Sequence, residues 1–188
     1  SYLLNTIFRN YLKDNGVEDD HVISVSLDLD EFEALQNPRN LSTYVKSRLL
    51  NDGKMNYVFI DEIQLSYKVK KTGVDEKDVA PEDRDALWLT FYDVLNSLNA
   101  MPNVDAYVTG SNSKMLSSDV ITEFRDKATN ISLYPISFEE YSKYKGSSSS
   151  DTVFEYMRYG GMPLAILKSG EEKKNILRVY LKQHILKI

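Results

Sequence analysis

Short apolar runs alternate with amphipathic helical patterns along this chain, and the alternation limits the folds open to it. Four runs have the composition of buried strands: residues 21–27, 57–60, 104–108 and 131–133. Apolar residues recur at helical spacing in four further segments: residues 3–12, 41–50, 86–98 and 120–127. Strands that alternate with helices predict parallel βαβ units. We therefore expect an α/β fold with a mostly parallel sheet and helices on both of its faces.

The composition excludes several classes of function. The sequence contains no cysteine, which rules out thiolate catalysis and cysteine-based zinc sites and agrees with a reducing compartment. No apolar run approaches the ~18 residues of a membrane span and no signal-peptide pattern is present, so we expect a cytoplasmic protein without a membrane partner. The formal net charge of -5 argues against a broad nucleic-acid-binding surface.

The chain changes character after Pro135. Before it, strands alternate with helices, which we interpret as a core domain over residues 1–135. After it, Ser137 and Glu140 form a capping box that predicts a helix, and further helical patterns continue towards the end of the sequence. We therefore expect a second, helical segment over residues 136–188.

Residues 66–85 are rich in charge and poor in apolar side chains. This composition predicts an exposed excursion, most simply a solvated loop, with a docking surface for a protein partner as the alternative. Neither histidine indicates a functional role: we expect His21 to lie in a strand and His184 in a solvated helix.

Two adjacent carboxylates, Asp61 and Glu62, come directly after the apolar run YVFI. In parallel sheets ligands bind beyond the carboxyl ends of the strands, and the sequence TGSNS follows the next apolar run. An acid pair at this edge suits a Mg-nucleotide site, where one carboxylate holds hydrated Mg²⁺ and the other polarises a water. Helix capping or plain solvent exposure is the alternative, because both are common for acids in this position.

A longer, ordered set of motifs resembles one family. FIDEIQ, VTGSNSKML, FRDKATNISLYPISFEEY and YGGMP occur in that order. The set resembles the prokaryotic AAA-type P-loop ATPases related to the archaeal ATPase group, over nearly the whole chain. The resemblance implies a P-loop NTPase-like core, a small helical lid, and ATP with Mg²⁺ as the bound ligands.

The resemblance also implies roles for residues at the matching positions. Asp61 would assist Mg²⁺, and Glu62 would act as the catalytic base. Ser111 or Asn112 would be the sensor that orients the water or the γ-phosphate. For TGSNS, a strand-to-helix turn with a serine cap is the alternative.

Two further positions have a family counterpart. Arg125 lies where the family has a Gly-Arg pair, although Phe124 replaces the glycine here. The arginine would neutralise charge on the phosphates, with a surface salt bridge as the alternative. Gln64 would bond towards the phosphate side or cap the following turn.

Ser1 stands at the head of the first helix, where the last residue of the phosphate loop GxxxxGK[ST] falls in this family. We expect Ser1 to be that residue and a Mg²⁺ ligand, with the glycines and lysine either upstream in the full-length protein or absent; an N-cap or a tag remnant is the alternative. Residues 1–188 contain no complete phosphate loop, so we expect this chain alone to bind ATP weakly and to be inactive.

The sequence therefore predicts an ATP-hydrolysing AAA-type domain whose nucleotide state moves the helical segment. The alternative from another class is a degenerate fold that serves as a protein-interaction module, through a protein partner or self-association. A nucleic-acid-processing protein would need a basic surface that this sequence does not show.

Overall fold

A computed structural model describes residues 2–110, 128–129 and 131–184 of the chain. The chain forms two compact units, Ser1–Ala128 and Thr129–Ile188. The helix predicted over residues 120–127 lies outside the described residues. None of the helices in the described ranges combines the length and the apolar composition that a membrane crossing needs.

The first unit is built on a parallel sheet. The described strands are β1 (Val22–Ser26), β2 (Asn56–Asp61), β3 (Val69–Lys70), β4 (Trp88–Leu89) and β5 (Val104–Val108). Strands β1, β2 and β5 run parallel with β2 in the centre, whereas β3 and β4 pair as a short antiparallel ribbon. The three parallel strands coincide with predicted runs, and the α/β fold with a parallel sheet is confirmed.

Helices cover both faces of this sheet. The helices of the first unit are α1 (Arg9–Asp14), which continues a π-helical turn at Leu3–Phe8, α2 (Pro38–Lys46) and α3 (Phe91–Asn99). Short 3-10 turns lie at Asp19–His21, Asp30–Gln36, Ile63–Leu65, Glu76–Asp78 and Pro81–Leu87. Helices α2 and α3 lie on one face, as expected when right-handed crossovers connect strands added in one direction.

The burial of β2 shows why its sequence is continuously apolar. Val58 and Ile60 pack into the core formed with α2 and α3, and Phe59 packs on the other face against Leu4 and Leu12. All three strand residues are 0% exposed. A strand buried on both faces needs apolar residues at every position rather than at alternate ones. The central strand is thereby fixed from both sides.

Helix α3 begins later than the sequence pattern predicted. Thr90 and Asp93 form a capping box, in which the Thr90 amide donates a 2.8 Å hydrogen bond to Asp93 Oδ2. This cap starts the helix at Phe91, and residues 86–89 belong instead to the preceding 3-10 turn and to β4. The β3–β4 ribbon anchors the excursion predicted over residues 66–85, most of whose residues are exposed.

The strand predicted over residues 131–133 is wrong. Residues 131–137 have no regular secondary structure, and Ile131 and Leu133 are 72% and 67% exposed. A strand needs ladder partners and at least one buried face, and within the described residues this segment has neither.

The second unit is helical. Its helices are α4 (Phe138–Lys145), α5 (Ser150–Tyr159), α6 (Pro163–Ile166) and α7 (Gly170–His184). The predicted capping box is present, because the Ser137 amide donates to Glu140 Oε2 at 2.8 Å and the Glu140 amide donates to Ser137 Oγ at 3.3 Å. Gly146 ends α4 in the left-handed conformation that glycine adopts without a steric penalty.

Candidate functional site

Asp61 is the last residue of β2, at the carboxyl edge of the parallel sheet. It is only 5% exposed, because the central strand carries it between its two neighbours. It pairs with Ser26 of β1, and its carbonyl oxygen accepts a 3.1 Å hydrogen bond from the Leu27 amide. The backbone of Asp61 is therefore held by the sheet itself.

Glu62 turns the chain away from the sheet. Its backbone is left-handed, with φ 57° and ψ 42°, and among the described residues it is the one non-glycine residue with positive φ. This conformation costs roughly 1–2 kcal/mol for a residue with a Cβ. The next residue, Ile63, is 0% exposed in the main core and holds the turn in place. Strained backbone of this kind is found preferentially at functional sites.

Thr109, the residue after β5, is hydrogen-bonded to the residues on either side of the acid pair. Its amide donates a 2.9 Å hydrogen bond to the Ile60 carbonyl oxygen, and its own carbonyl oxygen accepts a 3.0 Å hydrogen bond from the Ile63 amide. Its hydroxyl donates to Asp61 Oδ1, which also accepts a 3.2 Å hydrogen bond from the Glu62 amide. Sequence reasoning missed Thr109, although it is the first residue of the TGSNS motif.

Gln64 lies beside the acid pair in the 3-10 turn that follows. Its side-chain amide Nε2 donates to Glu62 Oε2, and both residues are half-buried. The structure thus brings together three of the predicted site residues, Asp61, Glu62 and Gln64. The side-chain amide of Gln64 contacts Glu62, the predicted base, and the sequence did not predict this contact.

Four other predicted site residues lie outside the described residues. They are Ser1, Ser111, Asn112 and Arg125. Their proposed roles as magnesium ligand, sensors and phosphate-neutralising arginine stay predictions.

A second group of possible metal ligands lies at the opposite end of the sheet, just before β1. One ligand atom from each of Glu18, Asp20 and His21 falls within 4.8 Å of the others. The Lys54 ammonium already lies 2.9 Å from Glu18 Oε1, and carboxylates face both ring nitrogens of His21. A cation there would compete with the ammonium and with the imidazole protons, so we do not assign this group to a metal.

The carboxyl edge of β2 has the chemistry of a site for a hard cation and an activated water. Asp61 presents a buried carboxylate oriented by two donors, and Glu62 presents a second carboxylate oriented by Gln64. Carboxylate oxygens are the ligands that Mg²⁺ prefers. The fold and this edge together define an α/β domain of the P-loop NTPase-like class.

Comparison with known families makes the class specific. Residues 1–142 match the model of the family described as AAA domain, so the chain belongs to that family and contains an ATPase-like domain. The match covers the parallel sheet, the acid pair and the first five residues of α4.

Two curated proteins illustrate its relatives. An uncharacterised protein of Haemophilus influenzae is 23% identical over 175 residues, which cover 90% of this chain and 38% of that protein. An uncharacterised protein of Methanocaldococcus jannaschii is 26% identical over 198 residues, covering 96% of this chain and 37% of that protein. The chain thus spans well under half the length of the relatives it matches. No solved structure gives a significant match.

Proposed function

We propose that this chain is part of an enzyme that hydrolyses ATP, with separate roles for Asp61 and Glu62. One observation carries the proposal: two adjacent carboxylates end the central strand, the first buried in the sheet and the second in a left-handed turn. Membership of the AAA domain family supports nucleotide binding at this edge.

The donor set at the strand end fits Mg²⁺. Asp61 would hold the hydrated ion through its carboxylate, and the resemblance adds Ser1 as a second ligand. When bound, Mg²⁺ would neutralise charge on the ATP phosphates. The roles of Ser111 or Asn112 as sensor, and of Arg125 beside the phosphates, belong to the same proposal and rest on their positions in the sequence.

Glu62 would act as the general base. Its carboxylate takes a proton from water while the water oxygen bonds to the γ-phosphorus. The bond from that phosphorus to the bridging oxygen breaks, and the electron pair leaves with ADP. The hydrogen bond from Gln64 would hold the Glu62 carboxylate in one orientation, which matters because a base acts only within hydrogen-bonding reach of its water.

We also propose that nucleotide state moves the helical segment over residues 136–188 as a lid. Two observations support this: the second unit is compact by itself, and residues 131–137 lack regular structure. A donor and acceptor dye pair, one dye in each unit of the full-length protein, would report the movement as an ATP-dependent change in transfer efficiency. Identical efficiency with and without Mg-ATP would remove the lid from the proposal.

The test of catalysis is Glu62→Gln in the full-length protein. Glutamine keeps the shape and hydrogen-bonding reach of the side chain but cannot take the proton from water. Turnover should therefore fall roughly 10²-fold or more, while Mg-ATP binding stays close to that of the wild type. Asp61→Ala should weaken both magnesium-dependent binding and turnover, because it removes the carboxylate that faces the ion.

Glu139→Gln provides the matched control, since Glu139 is a highly exposed residue of α4 that pairs with Lys143 at the surface. It should hydrolyse ATP at the wild-type rate. Wild-type turnover in Glu62→Gln would remove Glu62 as the base. A wild-type protein that binds no Mg-ATP would favour the interaction-module alternative instead.

A further inference from the structure

All three polar groups of Thr109 form hydrogen bonds at or directly beside the acid pair. Its amide and carbonyl bond to Ile60 and Ile63, the residues on either side of the pair, at 2.9 and 3.0 Å. Its hydroxyl is a third, independent contact, to Asp61 Oδ1. The backbone bonds fix the turn, whereas the hydroxyl acts on the carboxylate itself.

The hydroxyl restrains a rotation that the sheet leaves free. Backbone bonding holds the main chain of Asp61, but the carboxylate can still turn about its side-chain bonds. Two donors on the same oxygen, the Thr109 hydroxyl and the Glu62 amide, together fix the plane of the carboxylate. Carboxylates that bind metals are commonly oriented by such outer partners, whose removal weakens metal affinity.

We propose that Thr109 is a positioning residue, whose hydroxyl orients the Asp61 carboxylate towards a divalent cation. The inference deepens the proposed function and rests on it for the identity of the nucleotide-bound ion. It also gives the TGSNS motif a role at its first residue, separate from any sensor role of the residues that follow.

The experiment uses Thr109→Val, which keeps the branched shape and both backbone bonds but deletes the hydroxyl. Thr109→Ser retains the hydroxyl and should rescue the function. Thr43→Val, at an exposed position of α2 whose hydroxyl donates to the Arg39 carbonyl oxygen at 3.0 Å, controls for the substitution type. All three variants are made in the full-length protein, and each is compared with the wild type.

The first measurement is the dependence of ATP hydrolysis on Mg²⁺ concentration. Thr109→Val should raise the concentration needed for half-maximal turnover roughly 10-fold, within the range found for lost outer partners of metal ligands. Turnover at saturating Mg²⁺ should change less. Thr109→Ser and Thr43→Val should show the same dependence on Mg²⁺ concentration as the wild type. A merely structural role would instead lower turnover at every Mg²⁺ concentration.

The second measurement needs no hydrolysis. Binding of Mn²⁺ in the presence of a non-hydrolysable ATP analogue is followed by the loss of the free-ion electron paramagnetic resonance signal. Weaker Mn²⁺ binding in Thr109→Val, restored in Thr109→Ser, supports the inference even if the wild type hydrolyses no ATP, in which case only the proposed hydrolysis fails. Equal affinity in all variants, or no ion binding by the wild type, overturns the role of Thr109.

Discussion

Ile136 and Gly161 are joined through their backbones, because the Ile136 amide donates a 2.8 Å hydrogen bond to the Gly161 carbonyl oxygen. The Ile136 carbonyl oxygen in turn accepts a 2.7 Å hydrogen bond from the Tyr156 hydroxyl. Both backbone groups of Ile136, the residue just before the capping box of α4, are therefore bonded to the turn that ends α5 and to α5 itself. The second glycine of the YGGMP motif is thus a structural contact of the second unit.

Gly161→Ala should destabilise the second unit. A Cβ at this position would lie 1.9 Å from the Ile136 carbonyl oxygen, and a backbone oxygen cannot rotate away as a side chain can. The backbone must shift and the Ile136 hydrogen bond is lost, at a cost of about 1–3 kcal/mol for the overpacking alone. Hydrogen exchange should become faster at the amides of α4, while the amides of β2 keep their protection.

Gly146→Asn is the matched control in the same unit. Gly146 is left-handed, with φ 65°, and nothing lies within 4 Å of the position a Cβ would take. Asparagine tolerates this conformation, so exchange in α4 should stay close to that of the wild type. Equal protection in Gly161→Ala and the wild type would mean that the Ile136 contact contributes nothing to the unit.

Features that depend on neighbouring residues were predictable from the sequence. Val58 and Ile60 belong to a continuous apolar run, which predicts a buried strand without any knowledge of the partner strands. The Ser137–Glu140 capping box is equally local, since both members lie within one helical turn. The Thr90–Asp93 capping box is local too and marks the start of α3, whereas the apolar pattern alone predicts a start at residue 86.

Features that depend on distant residues were not predictable. Thr109 and Asp61 are separated by 48 positions, and only the parallel register of β2 and β5 brings their side chains together. Ile131 and Leu133 show the reverse case, because the local pattern favoured a strand while no ladder in the described chain accepts it. A single sequence specifies strand propensity far better than it specifies which partner a strand will find.

His21, interpreted from sequence as an ordinary strand residue, should make stability depend on pH. It is 2% exposed; Nδ1 lies 3.1 Å from Asp20 Oδ1, and Nε2 lies 3.1 Å from Asp52 Oδ2. The hydrogen bond with Asp52 is the main cause that raises the pKa of His21 above 6.5. Since carboxylates only accept, protons on both ring nitrogens satisfy both contacts.

A raised pKa means that the folded state binds this proton more tightly than the unfolded state. The stabilisation is fully present below pH 6.5 and is lost as pH rises through the higher folded pKa of His21. Urea unfolding of His21→Gln and the wild type should therefore differ most at about pH 6, by roughly 1.5–3 kcal/mol, and less at about pH 9. A stability difference that is independent of pH would show that folding does not raise the pKa of His21.

Asp52→Asn tests the same contact from the other side. The Lys54 amide donates a 3.0 Å hydrogen bond to Asp52 Oδ1, and an asparagine oxygen can still accept that bond. The substitution removes the charge facing His21 Nε2, while Asp20 stays in place and Lys54 and Glu18 remain paired nearby. The dependence on pH should shrink without disappearing, and a proton-detected titration of the His21 ring should show a lower pKa.

Lys173, in the second unit, should control the titration of Glu155. Its side chain is 3% exposed, and its ammonium lies 2.7 Å from Glu155 Oε1 and 4.7 Å from the centre of the Tyr159 ring. Lys145 approaches the other carboxylate oxygen, Oε2, at 3.1 Å. The hydrogen bond from Lys173 is the main cause that lowers the pKa of Glu155 to about 2. Glu155 thus joins α4, α5 and α7 through one carboxylate.

Lys173→Met keeps most of the side-chain volume and deletes the charge. The pKa of Glu155, followed by carbon NMR of its carboxyl group, should rise towards 4.5, although the hydrogen bonds with Tyr141 and Lys145 will keep it below that value. Because the folded pKa is depressed, the stabilisation is present above pH 4.5 and is lost as pH falls towards about 2. Hydrogen exchange in α5 should therefore be faster in the variant at neutral pH, and the difference should narrow in acid.

Lys143→Met, which breaks the exposed pair with Glu139, should change stability by less than about 1 kcal/mol. An unchanged pKa of Glu155 in Lys173→Met would assign its depression to the hydrogen bonds with Tyr141 and Lys145 instead.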